Sequence, residues 1–281
     1  MDLNKLANKI KKQFKDDELK ASAIGTGSDM KTPNNPEDNV VMPEWWKEST
    51  GLIGLPYGYV FQIAGNTDSG KTSMTIEAMK AAQEQDVQVI LVDTEKKTTK
   101  ARLTAWGVDP EKIARVQPEY LEQAYDGIQL WIDAIKDENP DQKILVVFDS
   151  LGNTPSKAEV DLDVDATMQL GMAAKINKRG FRRIVPRLAR EGIHFLVINQ
   201  TYNNLGSPGR SNAGGNSVDY FSSLTFQTSR KGWIEGTEKG LKIRKGAKVQ
   251  WTLYKSHLID DESKLFKSVE LHITKDGIKK V

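Results

Sequence analysis

The chain has 281 residues, a formal net charge of +2 and no cysteine. That length suits one sizeable α/β core with a small appendage, and the lack of thiols excludes disulfides and thiolate metal sites. The near-neutral balance leaves nucleic-acid binding to local clusters; with no apolar run of membrane length and no secretory leader, the sequence reads as soluble, cytoplasmic and without a membrane partner.

The first 20 residues predict an amphipathic helix. Leu3, Leu6, Ala7, Ile10 and Phe14 recur at helical spacing, with Lys5, Lys9, Lys11, Lys12 and Lys15 between them. Packing on the domain or on a neighbouring subunit suits it better than direct DNA contact. Residues 21–44 are polar, carry Gly25, Gly27, Pro33 and Pro36, and read as a linker. Trp45 and Trp46 open the core, which is expected to occupy residues 45–281.

The apolar run Tyr59-Val60-Phe61-Gln62-Ile63-Ala64 predicts a buried strand. It feeds Gly65-Asn66-Thr67-Asp68-Ser69-Gly70-Lys71-Thr72, a match to G-x-x-x-x-G-K-[ST]. Glycines at both ends let backbone N–H groups converge on phosphate oxygens. Lys71 is placed to reach the β- and γ-phosphates, and the Thr72 hydroxyl to hold Mg²⁺. A helix predicted from Ser73 to Ala82 leaves the loop with its N-terminus toward the anion. Gly65 to Ser73 therefore predict a nucleoside triphosphate site.

Val87–Asp93 predicts a second buried strand ending in Asp93-Thr94-Glu95, where active-site groups of open α/β sheets collect. Helices follow over Lys100–Trp106 and about Leu121–Lys136. Lys143–Ser150 is a third strand, closing on Asp149, an aspartate placed for the Mg²⁺ shell. Residues 155–171 carry many acids and no clear period, and read as a loop that orders with a ligand. The next helix bears Lys175, Lys178, Arg179, Arg182, Arg183, Arg187 and Arg190. Lys175 and the Arg182-Arg183 pair lie about two turns apart, so some share a face; a solvated surface is the default for such a run. Ile193–Gln200 is a fourth strand. The polar, glycine-rich connection from Thr201 to Asn216 is of a length that is functional or disordered. Ser223–Thr228, Lys248–Tyr254 and Lys267–Thr274 predict strands, with hairpins near Lys239-Gly240 and Asp276-Gly277. Together these elements predict a P-loop α/β core with a mostly parallel central sheet flanked by helices and a C-terminal β-hairpin region.

The ordered set Gly65–Thr72, Asp93-Thr94-Glu95, Leu145–Ser150, Ile198-Asn199-Gln200 and Gly214-Gly215-Asn216 resembles the RecA-type strand-exchange recombinases over roughly Gly51 to Gly277. Phe148-Asp149-Ser150-Leu151-Gly152-Asn153 and Ile198-Asn199-Gln200-Thr201-Tyr202 look most like the phage UvsX branch. The resemblance implies a RecA-like ATPase fold and a DNA-dependent ATPase using ATP and Mg²⁺. Such proteins form helical filaments on single-stranded DNA and promote pairing and strand exchange in recombination, repair and replication, in the host cytoplasm if phage-encoded. Glu95 matches the family's catalytic glutamate, which orients or deprotonates the attacking water beside Lys71. Gln200 matches the amide that senses the γ-phosphate and passes its state to the following loop. Arg102 falls where the family places an aromatic ring against adenine; its guanidinium plane could also stack. Lys255 matches a cation that reaches the neighbour's γ-phosphate across a head-to-tail interface.

Residues 155–171 and 202–216 match the family's two DNA-binding loops. Lys175, Arg182 and the backbone at Gly214, Gly215 and Asn216 match phosphate-contacting positions, with Arg210 beside them in the second loop. The implied partners are single-stranded and duplex DNA, further copies of the chain, and mediator and single-strand-binding proteins. Three departures stand out. Thr67 and Asp68 replace a Glu-Ser pair, and His257 stands where a second Lys or Arg is usual, most simply as a neutral surface histidine. The chain also reaches Val281 without the C-terminal region that relatives use to gather duplex DNA. Two other classes share this core. Intact Glu95, Asp149 and Gln200 weigh against an ATP-switched mediator with little hydrolysis. Gly214-Gly215-Asn216 after a long loop weighs against a hexameric helicase motor.

Overall fold

The computed structural model describes residues 33–152, 154–162, 171–203, 210–212, 216–259 and 262–281. The helix expected over residues 1–20, Gly214, Gly215 and residues 163–170 of the acidic segment lie outside them. A short 3-10 turn, Pro36–Asp38, leads into β1 (Asn39–Val41), which pairs antiparallel with β2 (Gly54–Pro56) across α1 (Glu44–Thr50). The segment expected as a linker to residue 44 thus holds a turn and a strand. Its anchors include Asn39, whose Nδ2 donates to the carbonyls of Pro33 and Asn35 at 3.0 and 2.7 Å, and Val40, which is fully buried.

The core alternates strand and helix. In chain order come β3 (Val60–Gly65), α2 (Lys71–Glu84), β4 (Gln88–Asp93), α3 (Lys100–Ala105), β5 (Ile113–Val116), α4 (Leu121–Glu138) and β6 (Ile144–Asp149). Then follow α5 (Lys157–Val160), α6 (Met172–Arg190), β7 (Ile193–Asn203), β8 (Arg210–Asn212) and α7 (Asn216–Phe221), and finally β9 (Ser222–Glu238), β10 (Leu241–Ser256), β11 (Ser268–Thr274) and β12 (Gly277–Lys280). The main sheet has the order β12-β11-β10-β9-β3-β7-β6-β4-β5, with β8 added to β7. From β9 to β5 every pairing is parallel; from β9 to β12 every pairing is antiparallel. The fold is the expected one.

Strand alternation explains the two buried faces. Phe61, Ile63, Val89, Leu91, Leu145 and Val147 point to the side covered by α2 and the tryptophans of α1, whereas Val60, Ile90, Val92, Val146 and Phe148 point to α4 and α6. Because both faces are covered, these strands read as nearly continuous apolar runs, with Gln62 the polar member of β3. Their C-terminal ends finish level: Gly65 pairs with Gln200, and Asp93 with Asp149.

Two regions differ from the sequence reading in extent. The acidic segment holds a one-turn helix, α5, closed by a capping box between Ser156 and Glu159. The hairpin of β9 and β10 runs far beyond Ser223–Thr228 and Lys248–Tyr254. Its distal half is exposed and held by the backbone ladder, so it carries no apolar alternation to read. The turn is the expected Lys239-Gly240, with φ of 51° and 78° as a two-residue hairpin loop requires.

Candidate nucleotide site and nucleic-acid groove

The phosphate loop joins β3 to α2. Gly70 takes φ 87°, and a Cβ there would come within 2.4 Å of the Ile273 side chain, so only glycine fits. Lys71 Nζ donates to the carbonyls of Gly65 and Asn66 at 2.8 and 2.6 Å. Burial pushes its pKa down against the pull of Asp149 and Glu95. Ser69 Oγ lies 2.6 Å from Thr228 Oγ1, and Thr201 Oγ1 donates to Asn66 Oδ1 at 3.0 Å, tying the loop to β9 and β7.

A cavity of about 300 Å³ opens above this loop. Thr67 to Ser73 line it together with Glu95, Lys97, Arg102, Asp149, Gln200 and Trp233. At its floor the Thr72 hydroxyl donates to Asp149 Oδ2 at 2.9 Å. The two strand-end aspartates have different settings. Asp93, almost fully buried, is neutralised by an ion pair with Arg115. Asp149 has no such pair among the described residues; burial raises its pKa to about 6, against the hydrogen bond from Thr72. A buried carboxylate next to a hydroxyl is an all-oxygen donor set of the kind Mg²⁺ takes, so the residues fit that ion.

Glu95 stands at the cavity wall beyond the end of β4. Its Oε1 accepts from Ser150 Oγ at 3.0 Å and from Gln200 Nε2 at 2.7 Å, and its Oε2 receives Lys97 Nζ at 2.5 Å. Arg102 Nη2 donates to Ser73 Oγ at 3.2 Å, on the cavity's rim. The structure thus brings Thr67 to Ser73, Glu95, Arg102, Asp149 and Gln200 to one cavity, with Gly65 and Asn66 at the loop's base. Lys255 does not line it; its ammonium donates to the Asp219 carbonyl at 2.7 Å. The sequence reading missed Lys97, Ser150 and Trp233. Lys97 was legible as the second residue beyond Glu95. Trp233 was not: it lies in the distal hairpin, held between Arg230 and Arg244, whose guanidinium carbons are 4.5 and 4.4 Å from its ring centre.

The basic run of α6 separates into two chemical faces. Arg183 pairs with Asp126 at 3.1 Å and Arg187 with Asp133 at 2.6 Å, both on α4, and Arg187 and Arg190 also clasp Glu191. Those arginines bind the protein to itself. Lys175, Lys178 and Arg182 instead line a groove of about 760 Å³ against Ser217, Tyr220 and Phe221 of α7, with no acid paired to them among the described residues. Lys175 and Arg182 therefore share a face that Arg183 leaves. Of the other expected DNA contacts, Arg210 opens β8 opposite Asn203 and Asn216 opens α7, their side chains lying outside the described residues.

The RecA N-terminal domain model matches residues 5–277. The chain belongs to the RecA family. Its relatives include protein RecA of Fusobacterium nucleatum, 27% identical over 204 residues that make up 69% of this chain and 52% of that one. Protein RecA of Acholeplasma laidlawii is 26% identical over 244 residues, 85% of this chain and 70% of the relative. That of Borrelia duttonii is 29% identical over 205 residues, 70% and 54%. The chain thus spans about half to seven-tenths of the RecA proteins it matches. No helix among its described residues is long and apolar enough to cross a membrane.

Proposed function

We propose that the chain is a DNA-dependent ATPase that assembles on single-stranded DNA as a RecA-type recombinase and promotes homologous pairing and strand exchange. The observation that carries this reading is the hydrogen bond from Gln200 Nε2 to Glu95 Oε1 at the wall of the phosphate-loop cavity. It joins the residue suited to activate water to β7, the strand that runs directly into the second candidate DNA loop.

In this mechanism the loop N–H groups and Lys71 hold the β- and γ-phosphates, and the Arg102 guanidinium lies against the base. Thr72 and Asp149 would hold Mg²⁺, which supplies charge neutralisation on the phosphate oxygens when bound. Glu95 orients the attacking water and accepts its proton, the role a carboxylate takes beside a γ-phosphate. Gln200 reports the phosphate state into residues 201–216, so that nucleotide and DNA bias one element. Lys175 and Arg182, with Arg210 and the backbone at Gly214, Gly215 and Asn216, hold the DNA backbone without reading sequence. Lys255 serves the neighbouring subunit's nucleotide in a head-to-tail filament. Duplex DNA, mediators and single-strand-binding proteins complete the set of partners. The segments Phe148–Asn153 and Ile198–Tyr202 support placing the chain with the phage UvsX branch.

ATP hydrolysis by the wild type and Glu95→Gln, with and without single-stranded DNA, tests the reading, with negative-stain imaging of both. The wild-type rate should rise with DNA, and Glu95→Gln should lower it by about 10²–10⁴-fold while leaving persistent helical filaments. Absent stimulation and filaments would refute the proposal in favour of a switch-like accessory. Closed rings would refute it in favour of a helicase motor.

A further inference from the structure

The segment that carries Glu95 and Lys97 to the cavity, residues 94–99, joins β4 to α3 without regular secondary structure of its own. Its course is therefore set by its anchors. At its start, Thr94 is tied to the end of the neighbouring strand. The Thr94 N–H donates to the Asp149 carbonyl at 3.0 Å, and the Thr94 hydroxyl donates to the Ser150 carbonyl at 2.9 Å and accepts from the Ser150 N–H at 3.0 Å. Toward its far end, where Thr98 is buried, the anchor is Arg115. This residue lies on β5 opposite Leu91 of β4. Side chains two apart on a strand share a face, so Asp93 stands on the side from which Arg115 reaches. Arg115 Nη2 donates both to Asp93 Oδ2 and to the Thr98 carbonyl, the latter at 3.1 Å. One guanidinium nitrogen thus joins the last residue of β4 to a backbone oxygen three residues beyond Glu95. Neutralising Asp93 needs only the first of those bonds; the second closes residues 93–98 into a loop. Lys96, next to Glu95, has φ 54°, a left-handed conformation that a lysine keeps where its surroundings fix it.

We propose that Arg115 is a positioning residue for ATP hydrolysis: by clasping the Thr98 carbonyl to Asp93, it holds the backbone that sets where Glu95 meets the attacking water. The inference rests on the nucleotide site and on the role of Glu95 proposed above. Arg115 is not among the residues that line the cavity, so it touches neither nucleotide nor water and acts only through the loop. Nucleotide binding depends on the phosphate loop, which Arg115 does not contact. Its loss therefore falls on the chemical step and spares affinity.

The test compares the full chain as wild type, Asp93→Asn, Glu95→Gln, the Arg115→Met/Asp93→Asn double variant, and that double variant carrying Glu95→Gln. Each is followed by thermal melts, by equilibrium binding of AMP-PNP with Mg²⁺, and by single-turnover hydrolysis of radiolabelled ATP on single-stranded DNA. The double variant strands no buried charge, so it should melt near the wild type and bind AMP-PNP within about threefold of it. Its hydrolysis should nevertheless fall by about 10–100-fold, the scale of a displaced catalytic group. Asp93→Asn, which keeps Arg115 and its bond to Thr98, should retain most of the wild-type rate. On the Glu95→Gln background the double substitution should lower the residual rate by less than about twofold, because no catalytic carboxylate is left to displace. A double variant that melts and hydrolyses like the wild type would overturn the proposal, since Arg115 would then serve only to neutralise Asp93. Equal losses in binding and hydrolysis would also overturn it, as would an equal loss in Asp93→Asn or a full loss on the Glu95→Gln background. Each of those results leaves the role of Glu95 standing. Glu95→Gln hydrolysing as fast as the wild type would instead overturn the reading on which the proposal rests.

Discussion

Asp149→Asn separates what the nucleotide site needs from what the fold needs. Asp149 is buried, and its pKa has risen from an ordinary 3.8 to about 6. At ~1.36 kcal/mol per pH unit, holding that carboxylate ionised inside the protein costs about 3 kcal/mol. The sign follows from the direction of the shift. The folded chain binds the proton more tightly than the unfolded chain, so the cost is fully present above about pH 6, shrinks as the pH falls and is gone below 3.8. An asparagine amide still accepts the 2.9 Å hydrogen bond from Thr72 and removes the charge, while its own NH₂ needs an acceptor, which reduces the gain. Asp149→Asn should therefore be more stable than the wild type by roughly 1–3 kcal/mol in EDTA at pH 8, about 2–4 °C in Tm per kcal/mol for a chain of this size. At pH 5 the advantage should narrow, because the wild type has taken up its proton. Adding Mg²⁺ and AMP-PNP should reverse the order: a ligand that binds only the folded wild type stabilises it by RT ln(1 + [L]/Kd), and the variant lacks the carboxylate that holds the ion. Thermal melts in EDTA at pH 5 and 8, repeated with Mg²⁺ and AMP-PNP, read all of this. A variant that melts at or below the wild-type temperature in EDTA at pH 8 would refute the reasoning, since Asp149 would then stabilise the fold.

The neighbouring aspartate predicts the opposite response. Asp93 is neutralised by Arg115, so Arg115→Met strands a buried charge and should cost about 3–5 kcal/mol in urea unfolding; adding Asp93→Asn should recover most of it. In the helical layer, Gly180→Ala would place a Cβ about 2.5 Å from the ring of Tyr125, whose hydroxyl is fixed to Asn177 Oδ1 at 3.0 Å. That ring has nowhere to turn, and the substitution should cost about 1–3 kcal/mol. Across the α6–α7 groove, Lys175→Ala and Arg182→Ala should each reduce the salt slope of single-strand binding by about one, measured by anisotropy over a salt series. Arg183→Ala should leave that slope unchanged.

The part of this architecture that was legible in the sequence is the part governed by strong local rules. β3, β4, β6 and β7 are buried on both faces, so each appears as an apolar run, and β4 and β6 end on aspartates at the level where ligands bind. Residues Thr67 to Ser73 and Glu95, past strand ends, meet Asp149 and Gln200 in one cavity because Gly65 pairs with Gln200 and Asp93 with Asp149 across the parallel sheet. Features that depend on partners far away in the chain were harder to read. The seven cations of α6 look equivalent in sequence. Their division into a self-bridged face and an open one is decided by Asp126 and Asp133, more than 40 residues earlier on α4. The contrast between Asp93 and Asp149 is likewise settled by Arg115 on β5, which no motif marks. The same logic governs the active-site wall. Local spacing presents Glu95 and Lys97 side by side, and the fold adds Gln200, from a strand a hundred residues later, as a further partner of Glu95. The sequence names the residues of that wall, and the fold decides which of them meet.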